Sequence, residues 1–143
     1  MDTSKNNTII VWTILALSVA GFTDAVYLAM KRIIGSPINC FAFSGCDTVA
    51  QSTYSAIFGI PLSLLGAIFY AVTIILITYY LQRRTKKGLQ RVLAMAILGG
   101  VFALYLFALQ AFVIKAWCLY CVISDTIGVV TALLAIYLWR KEK

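Results

Sequence analysis

The chain lacks histidine and is poor in charged residues, with five acidic and 12 basic side chains among 143 residues. Without histidine, imidazole acid–base catalysis and histidine metal sites are excluded. Charged residues make up 12% and hydrophobic residues 62%, whereas soluble domains carry about 25% and about 45–50%. A water-soluble domain of this size cannot bury so much apolar surface. The composition therefore excludes a soluble enzyme, an extended disordered binder and a nucleic-acid domain, and the mean hydropathy of +0.94 indicates a chain embedded in lipid.

Four apolar runs are long enough to cross a membrane as helices, which takes about 20 residues each. They cover residues 9–30, 60–81, 92–114 and 118–139. We expect an all-α fold, an integral membrane four-helix bundle that forms one domain over residues 1–143. The stretch Ser18-Val19-Ala20 also resembles a signal-peptide cleavage site, but the apolar run continues well past it, which favours a retained span.

The basic residues predict the orientation of these spans. Nine of them lie on the face that holds both termini, namely Lys5, Arg83, Arg84, Lys86, Lys87, Arg91, Arg140, Lys141 and Lys143. Three lie on the other face, namely Lys31, Arg32 and Lys115. Because cytoplasmic loops carry the excess of Lys and Arg, we expect a plasma-membrane protein with both termini in the cytoplasm.

The long link over residues 31–59 is then expected on the outer face. Gly35 and Pro37 predict an irregular start. Thr48 and Gln51 fit a capping box, in which each side chain satisfies a free backbone N–H at a helix start. The link therefore predicts a short helix that lies on the bundle as a lid.

All four cysteines fall on the outer face or just inside it, where disulfides form and persist. Cys118 and Cys121 form a C-x-x-C at the exposed start of the fourth span, where the helix N-terminus favours a thiolate at Cys118. Two structural disulfides are one interpretation. A four-cysteine zinc site is disfavoured because the spacing of Cys40 and Cys46 is wide for zinc ligands. The alternative is electron transfer from a soluble thiol into the bilayer, where a quinone is the apolar acceptor.

These features together resemble the vitamin K epoxide reductase (VKOR) family, in particular its short bacterial and archaeal members. The resemblance covers roughly residues 21–121 and rests on Cys40-x5-Cys46-Asp47, Ser52, Phe58-Gly59-Ile60-Pro61, Gly66, Tyr70 and Cys118-x-x-Cys121. It implies a four-helix bundle around a quinone of the menaquinone or ubiquinone type. It also implies reoxidation of a thioredoxin-fold (DsbA-like) partner that introduces disulfides into exported proteins.

The resemblance also implies a role for each motif residue. Cys40 and Cys46 are similar to the shuttle pair that meets the partner. Cys118 and Cys121 are similar to the active-site pair, with Cys121 facing the quinone. Ser52 is similar to the family's hydroxyl residue on the lid helix beside the quinone.

Two departures from the family pattern bear on the substrate and the partner. Vertebrate members carry an asparagine near the position of Leu62 and a tyrosine near that of Asp125, both linked to vitamin K binding, and neither is present here. This argues against epoxide reduction. Many members also fuse a thioredoxin-like domain after the last helix, whereas this sequence ends at Lys143, so a separate partner protein is expected.

Three further residues are candidates for the quinone site. Asp125 lies on the same face of the fourth span as Cys118 and Cys121, and a carboxyl group within a span is costly and often functional. It is expected to deliver protons near Cys121, although a hydrogen bond to a neighbouring helix is the plainer alternative. Leu109 and Phe112 on the third span are expected to line the quinone headgroup site, although apolar residues at helical spacing also serve as core.

Two other functions stay open at this point. A DsbB-like quinone-linked thiol oxidase is also a four-helix protein, but its C-x-x-C sits in the first outer loop rather than at the last helix. A non-catalytic four-helix membrane protein stapled by two disulfides is the alternative outside enzymes. Exchange with glutathione would distinguish the latter, because structural disulfides resist it.

Overall fold

The computed structural model describes residues 2–40 and 45–143. Within them the chain forms five α-helices, α1 (Asp2–Ile34), α2 (Cys46–Ala50), α3 (Leu62–Arg83), α4 (Lys86–Ala108) and α5 (Leu119–Glu142). A 3-10 turn covers Thr53–Ser55, and a π-helix over Leu109–Ile114 continues α4. In this described part of the chain, four helices are long and apolar enough to cross a membrane, with the π-helix counted into the third. The predicted all-α membrane bundle is therefore confirmed.

The spanning helices extend beyond the apolar runs that predicted them, because the polar residues at their ends are also helical. The basic link between the second and third spans shortens to Arg84 and Thr85. Arg84 adopts a left-handed conformation with φ of 48°, which ends α3. The Thr85 side-chain oxygen accepts a hydrogen bond from the Gly88 N–H at 3.1 Å and so caps the start of α4.

The four long helices form a ring in which each one packs against two neighbours. Helix α1 contacts α3 and α5, and α4 contacts the same two helices from the opposite corner. Small residues allow this close approach. A Cβ added to Gly100 on α4 would lie 2.7 Å from the Ala132 Cβ on α5, so a larger residue there would push these two helices apart.

The end of the bundle that carries the termini has a dense apolar core. Its fully buried members are Val11, Ile14, Ile77, Tyr80, Leu89, Val92, Ala96, Ala135 and Leu138. The Tyr80 hydroxyl donates a 2.6 Å hydrogen bond to Glu142 Oε2, which ties the last turn of α5 to α3. Tight packing here leaves the opposite half of the bundle as the place for a cavity.

The opposite end, here called the cysteine end, is covered by residues 45–61, here called the lid segment. After α2 and the 3-10 turn, β1 (Ala56–Ile57) pairs antiparallel with β2 (Ile60–Pro61). Phe58 and Gly59 form the two-residue turn, with φ of 52° and 79°, as hairpin turns of this length require. The Arg32 guanidinium at the end of α1 donates to the Ala50 carbonyl and to the Ser55 hydroxyl, and so fastens the lid segment to the bundle.

The short lid helix is present, but the predicted capping box is wrong. Helix α2 begins at Cys46 with Gly45 as its N-cap, and no side chain caps it. Thr48 is exposed within the helix, and the Gln51 side-chain amide donates to Asp47 Oδ1 at 3.0 Å. The helix starts earlier because Cys46 is held in the buried core of the cysteine end.

Candidate active site

The first disulfide joins Cys40 to Cys46, with their Cα atoms 6.0 Å apart. Cys46 opens α2 and is only 1% exposed, whereas Cys40 lies in irregular chain and is half-buried. Cys40 is therefore the more accessible sulfur of this pair.

The second disulfide joins Cys118 to Cys121, with their Cα atoms 5.2 Å apart. Cys118 is the N-cap of α5, and its sulfur accepts a 3.2 Å hydrogen bond from the Cys121 N–H. The predicted position at the helix start is thus correct. The expected exposure is wrong, because Cys118 is 0% exposed beneath the lid segment.

The two disulfides meet in one apolar cluster. Its buried members are Leu28, Ile38, Cys46, Val49 and Cys118, and Cys40 and Cys121 pack against it. Gly45, which precedes Cys46, lies against the backbone of Trp117, which precedes Cys118. One sulfur of each pair is therefore buried under the lid segment, and the other lies at the edge of the cluster.

A cavity of about 520 Å³ lies beside this cluster. Residues of α1, the lid segment, α3, α4 with its π-helix, and α5 bound it. Its volume is within the range of roughly 300–1,000 Å³ that is typical of small-molecule sites. Most of the lining is apolar, and polar groups near Cys121 include Tyr70, Gln110, Ser124 and Asp125. The cavity therefore fits a flat apolar molecule with a few hydrogen-bonding atoms.

The structure places the residues predicted for the quinone site in two groups. Ser52, Leu109, Cys121 and Asp125 all line the cavity. Phe112 does not, since its side chain is 76% exposed on the outside of the bundle. An α-helix would keep Phe112 near the face of Leu109, but the π-helix has more residues per turn and rotates it outward.

Ser52 lies outside the lid helix rather than on it. Helix α2 ends at Ala50, and Ser52 precedes the following 3-10 turn. Its hydroxyl and its backbone N–H both donate to the Val49 carbonyl near the end of α2, at 2.9 and 3.2 Å. It still lines the cavity, so the position fits the resemblance although the element differs.

Asp125 is only 6% exposed and has a partner that sequence reasoning missed. The Gln110 side-chain nitrogen donates to Asp125 Oδ2 at 3.1 Å, and the Gln110 side-chain oxygen accepts from the Cys118 N–H at 3.1 Å. The sequence signal for this partner was a side-chain amide in an otherwise apolar span, eight residues before Cys118. The hydrogen bond to a neighbouring helix that was the plainer interpretation of Asp125 is present.

Tyr70 completes the polar wall of the cavity. Its hydroxyl donates to the Ser124 carbonyl at 2.7 Å, which joins α3 to α5 across the bundle. Its ring occupies the space beside Gly21, where an added Cβ would lie 2.5 Å from the ring. Glycine at this position of α1 therefore makes room for the tyrosine.

The residues that the structure describes offer no set of metal ligands at this site. Within residues 2–40 and 45–143, no group of three or more Cys, Asp or Glu side chains is placed to hold a metal ion. The chemistry that the arrangement supports is thiol–disulfide exchange between two pairs, with an apolar cavity against the second pair.

Comparisons with known proteins agree with the sequence motifs. The chain is 28% identical over 109 residues to the thiol-disulfide oxidoreductase LTO1 of Arabidopsis thaliana, a match that covers 71% of this chain and 29% of the relative. The chain thus spans less than a third of the length of this relative. The model of the vitamin K epoxide reductase family matches residues 12–139, which is most of the sequence. The chain therefore belongs to the vitamin K epoxide reductase family.

Proposed function

We propose that this chain is a membrane thiol:quinone oxidoreductase that takes electrons from a thioredoxin-fold protein and passes them to a quinone. One observation carries the proposal. Two disulfides share a buried cluster, and the second one lies against a cavity of about 520 Å³. Such an electron path requires an accessible cysteine pair, next to it a buried pair, and then an apolar cavity. In its cellular role, the protein keeps the partner oxidised so that exported proteins acquire disulfides.

The first exchange takes place at the half-buried Cys40. A thiolate of the reduced partner attacks the Cys40 sulfur, breaks the Cys40–Cys46 bond and forms a mixed disulfide with Cys40. The second partner thiol then attacks the partner sulfur of that bond. The partner leaves as a disulfide, and Cys40 and Cys46 hold the two electrons as thiols.

The second exchange passes those electrons to the bundle. The Cys46 thiolate attacks the Cys118 sulfur and breaks the Cys118–Cys121 bond, which releases the Cys121 thiolate. Cys40 then attacks Cys46, re-forms the Cys40–Cys46 disulfide and releases Cys118. Burial of Cys46 and Cys118 in one cluster supports this order, because disulfide formation needs Cα atoms within about 7 Å.

The cavity residues fit a quinone ring. A bound quinone supplies an acceptor for two electrons and two protons, the number that the Cys118–Cys121 dithiol releases when its disulfide re-forms. Leu109 and other apolar side chains would hold the ring, and Asp125 would offer a hydrogen bond to its oxygens. Ser52 would offer a second one when its hydroxyl turns from the Val49 carbonyl. Cys121 lines the same space and is the sulfur that faces the acceptor. Asp125, one helical turn from Cys121, carries protons between the thiols and the ring.

The position in the membrane follows from charge. The nine basic residues at the end with the termini, against three at the cysteine end, favour an orientation with both termini in the cytoplasm by the positive-inside rule. The cysteine end then faces the outside of the plasma membrane, where a soluble partner reaches Cys40. Surrounding lipid meets the outer faces of the four helices and delivers the quinone.

Two alternatives are less well supported by the geometry. If the disulfides were only structural, stability would not require a cavity that is lined by Cys121 and by a buried carboxyl group. In a DsbB-like oxidase, the C-x-x-C belongs to the first outer loop, whereas here it opens the last spanning helix. Single Cys→Ser variants test the proposal, since each of the four should lose partner-driven quinone reduction. Full turnover in any one of them would remove that cysteine from the path.

A further inference from the structure

Gln110 uses both ends of its side-chain amide inside the bundle. The nitrogen donates to Asp125 Oδ2, and the oxygen accepts from the Cys118 N–H, each at 3.1 Å. The side chain is 3% exposed and lines the cavity. A polar group within a membrane span is costly unless it is paired, and this one connects the redox-active pair to the buried acid.

The π-helix is what brings Gln110 to this position. Leu109–Ile114 carries the wider i→i+5 hydrogen-bonding pattern, and within it Gln110 is buried while Phe112 faces outward. The chain then leaves the helix through Lys115, with φ of 55°. Cys118 comes three residues later, with its N–H directed at the Gln110 oxygen.

The direction of the Gln110 hydrogen bond has a consequence for Asp125. When Asp125 is protonated, Oδ2 accepts the amide N–H as the carbonyl oxygen, which leaves Oδ1 to carry the proton. In the described part of the chain, Oδ1 has no hydrogen-bond partner, and Asp125 lines the cavity. The acid is therefore arranged as a donor, and a quinone oxygen is an acceptor.

We propose that Gln110 is a positioning residue that orients Asp125 as a hydrogen-bond donor to a carbonyl oxygen in the cavity. This inference rests on the proposed quinone site and names the residue that determines which oxygen of Asp125 donates to the ligand. The same amide accepts from the Cys118 N–H at the start of α5, the helix on which Cys121 and Asp125 lie one turn apart on a single face.

The test measures binding of ubiquinone-1 to the fully oxidised protein, in which no thiol is available to reduce it. Quenching of tryptophan fluorescence gives the affinity. Gln110→Met keeps the length of the side chain but removes both hydrogen bonds. We expect it to weaken binding about three- to tenfold, the range that one hydrogen bond supplies. Phe112→Ala, in the same π-helix but outside the cavity, is the matched control and should bind as the parent does.

Substitutions of Asp125 separate positioning from general damage. Asp125→Asn keeps an oxygen that accepts from Gln110 and an N–H₂ that donates to the cavity, so binding should stay within about twofold of the parent. Asp125→Ala should bind as weakly as Gln110→Met. In the Asp125→Ala background, Gln110→Met should have no further effect, because Gln110 acts through Asp125.

Three results would overturn the inference. The first is that Gln110→Met binds ubiquinone-1 as well as the parent does. The second is that Gln110→Met weakens binding in the Asp125→Ala background as much as it does in the parent. The third is that Asp125→Asn binds as weakly as Asp125→Ala. The last comparison does not depend on whether Gln110→Met folds. Failure of the parent itself to bind ubiquinone-1 would instead contradict the proposed function.

Discussion

The backbone of Gly45 lies directly against the backbone of Trp117. A Cβ on Gly45 would come within 2.6 Å of the Trp117 carbonyl oxygen and 2.8 Å of its nitrogen. Backbone atoms of a packed loop cannot move aside as the end of a flexible side chain can, so this contact requires glycine. Each of these residues precedes a cysteine, so the contact holds Cys46 beside Cys118.

The first prediction concerns the bond between the two pairs. The double variant Cys40→Ser, Cys121→Ser leaves Cys46 and Cys118 each without its own partner. Because both are buried in one cluster, they should form a disulfide under oxidising conditions, visible by mass spectrometry of the digested protein. If both are recovered as free thiols, the order of the relay is wrong.

Gly45→Ala in that double variant is the second prediction. The added methyl group would push the start of α2 away from Trp117, so the yield of the Cys46–Cys118 bond should fall several-fold. Gly66→Ala is the control, since its Cβ would meet only the Ala25 Cβ, at an ordinary 3.7 Å. An undiminished yield with Gly45→Ala would show that this contact does not set the distance between the sulfurs.

The spans and the bundle could be predicted from the sequence because they depend on local pattern, whereas the two cysteine pairs were implied by the family resemblance. Long apolar runs have one physical solution in lipid, and a C-x-x-C brings its own sulfurs together. The cavity contacts of Ser52, Leu109 and Asp125 followed from helical spacing and the family resemblance.

The remaining features depend on contacts that no local pattern encodes. The π-helix rotates Phe112 out of the cavity and Gln110 into the core, whereas the apolar pattern of the sequence predicts a regular α-helix there. Helix α2 begins at Cys46 rather than at Thr48 because packing against Trp117, more than 70 residues away in sequence, decides its start. Cys118 is buried for the same reason, since the lid segment covers the start of α5.

The third prediction concerns the Ser52 hydroxyl. Ser52→Ala removes a hydroxyl from the cavity wall, while the backbone N–H of residue 52 still donates to the Val49 carbonyl, so the KM for quinone should rise by up to about tenfold. Exchange of the Cys40–Cys46 pair with the partner should persist. Thr48→Ala removes an exposed hydroxyl from the same segment and should leave both steps unchanged. Unaltered quinone kinetics in Ser52→Ala would remove Ser52 from the site.

Arg32 is predicted to control the stability of the lid segment. Arg32→Gln removes its charged hydrogen bonds to Ala50 and Ser55, each worth about 1.5–3 kcal/mol. Amide hydrogen exchange over residues 46–57 should therefore become at least about tenfold faster. Lys31→Gln is the control, because the Lys31 ammonium donates to Ser36 and lies over the Tyr27 ring, both outside the lid segment. Equal exchange in the two variants would mean that other contacts hold the lid.

Membrane orientation gives the fifth prediction. A variant that keeps Cys40 as its single cysteine should react with a membrane-impermeant maleimide added to intact cells. Lys143→Cys in a cysteine-free background should react only after the cells are permeabilised, because the termini are proposed to lie in the cytoplasm. The reverse pattern would place the cysteine end in a reducing compartment and contradict the proposed relay.

The stoichiometry of electron transfer tests the central claim most directly. Purified protein, a reduced thioredoxin-fold protein and ubiquinone-1 are mixed without oxygen, and quinone absorbance and partner thiols are followed together. The account predicts one quinone reduced for each disulfide formed in the partner, with no reaction when the membrane protein is omitted. Partner oxidation without loss of quinone, or no oxidation at all, would contradict it.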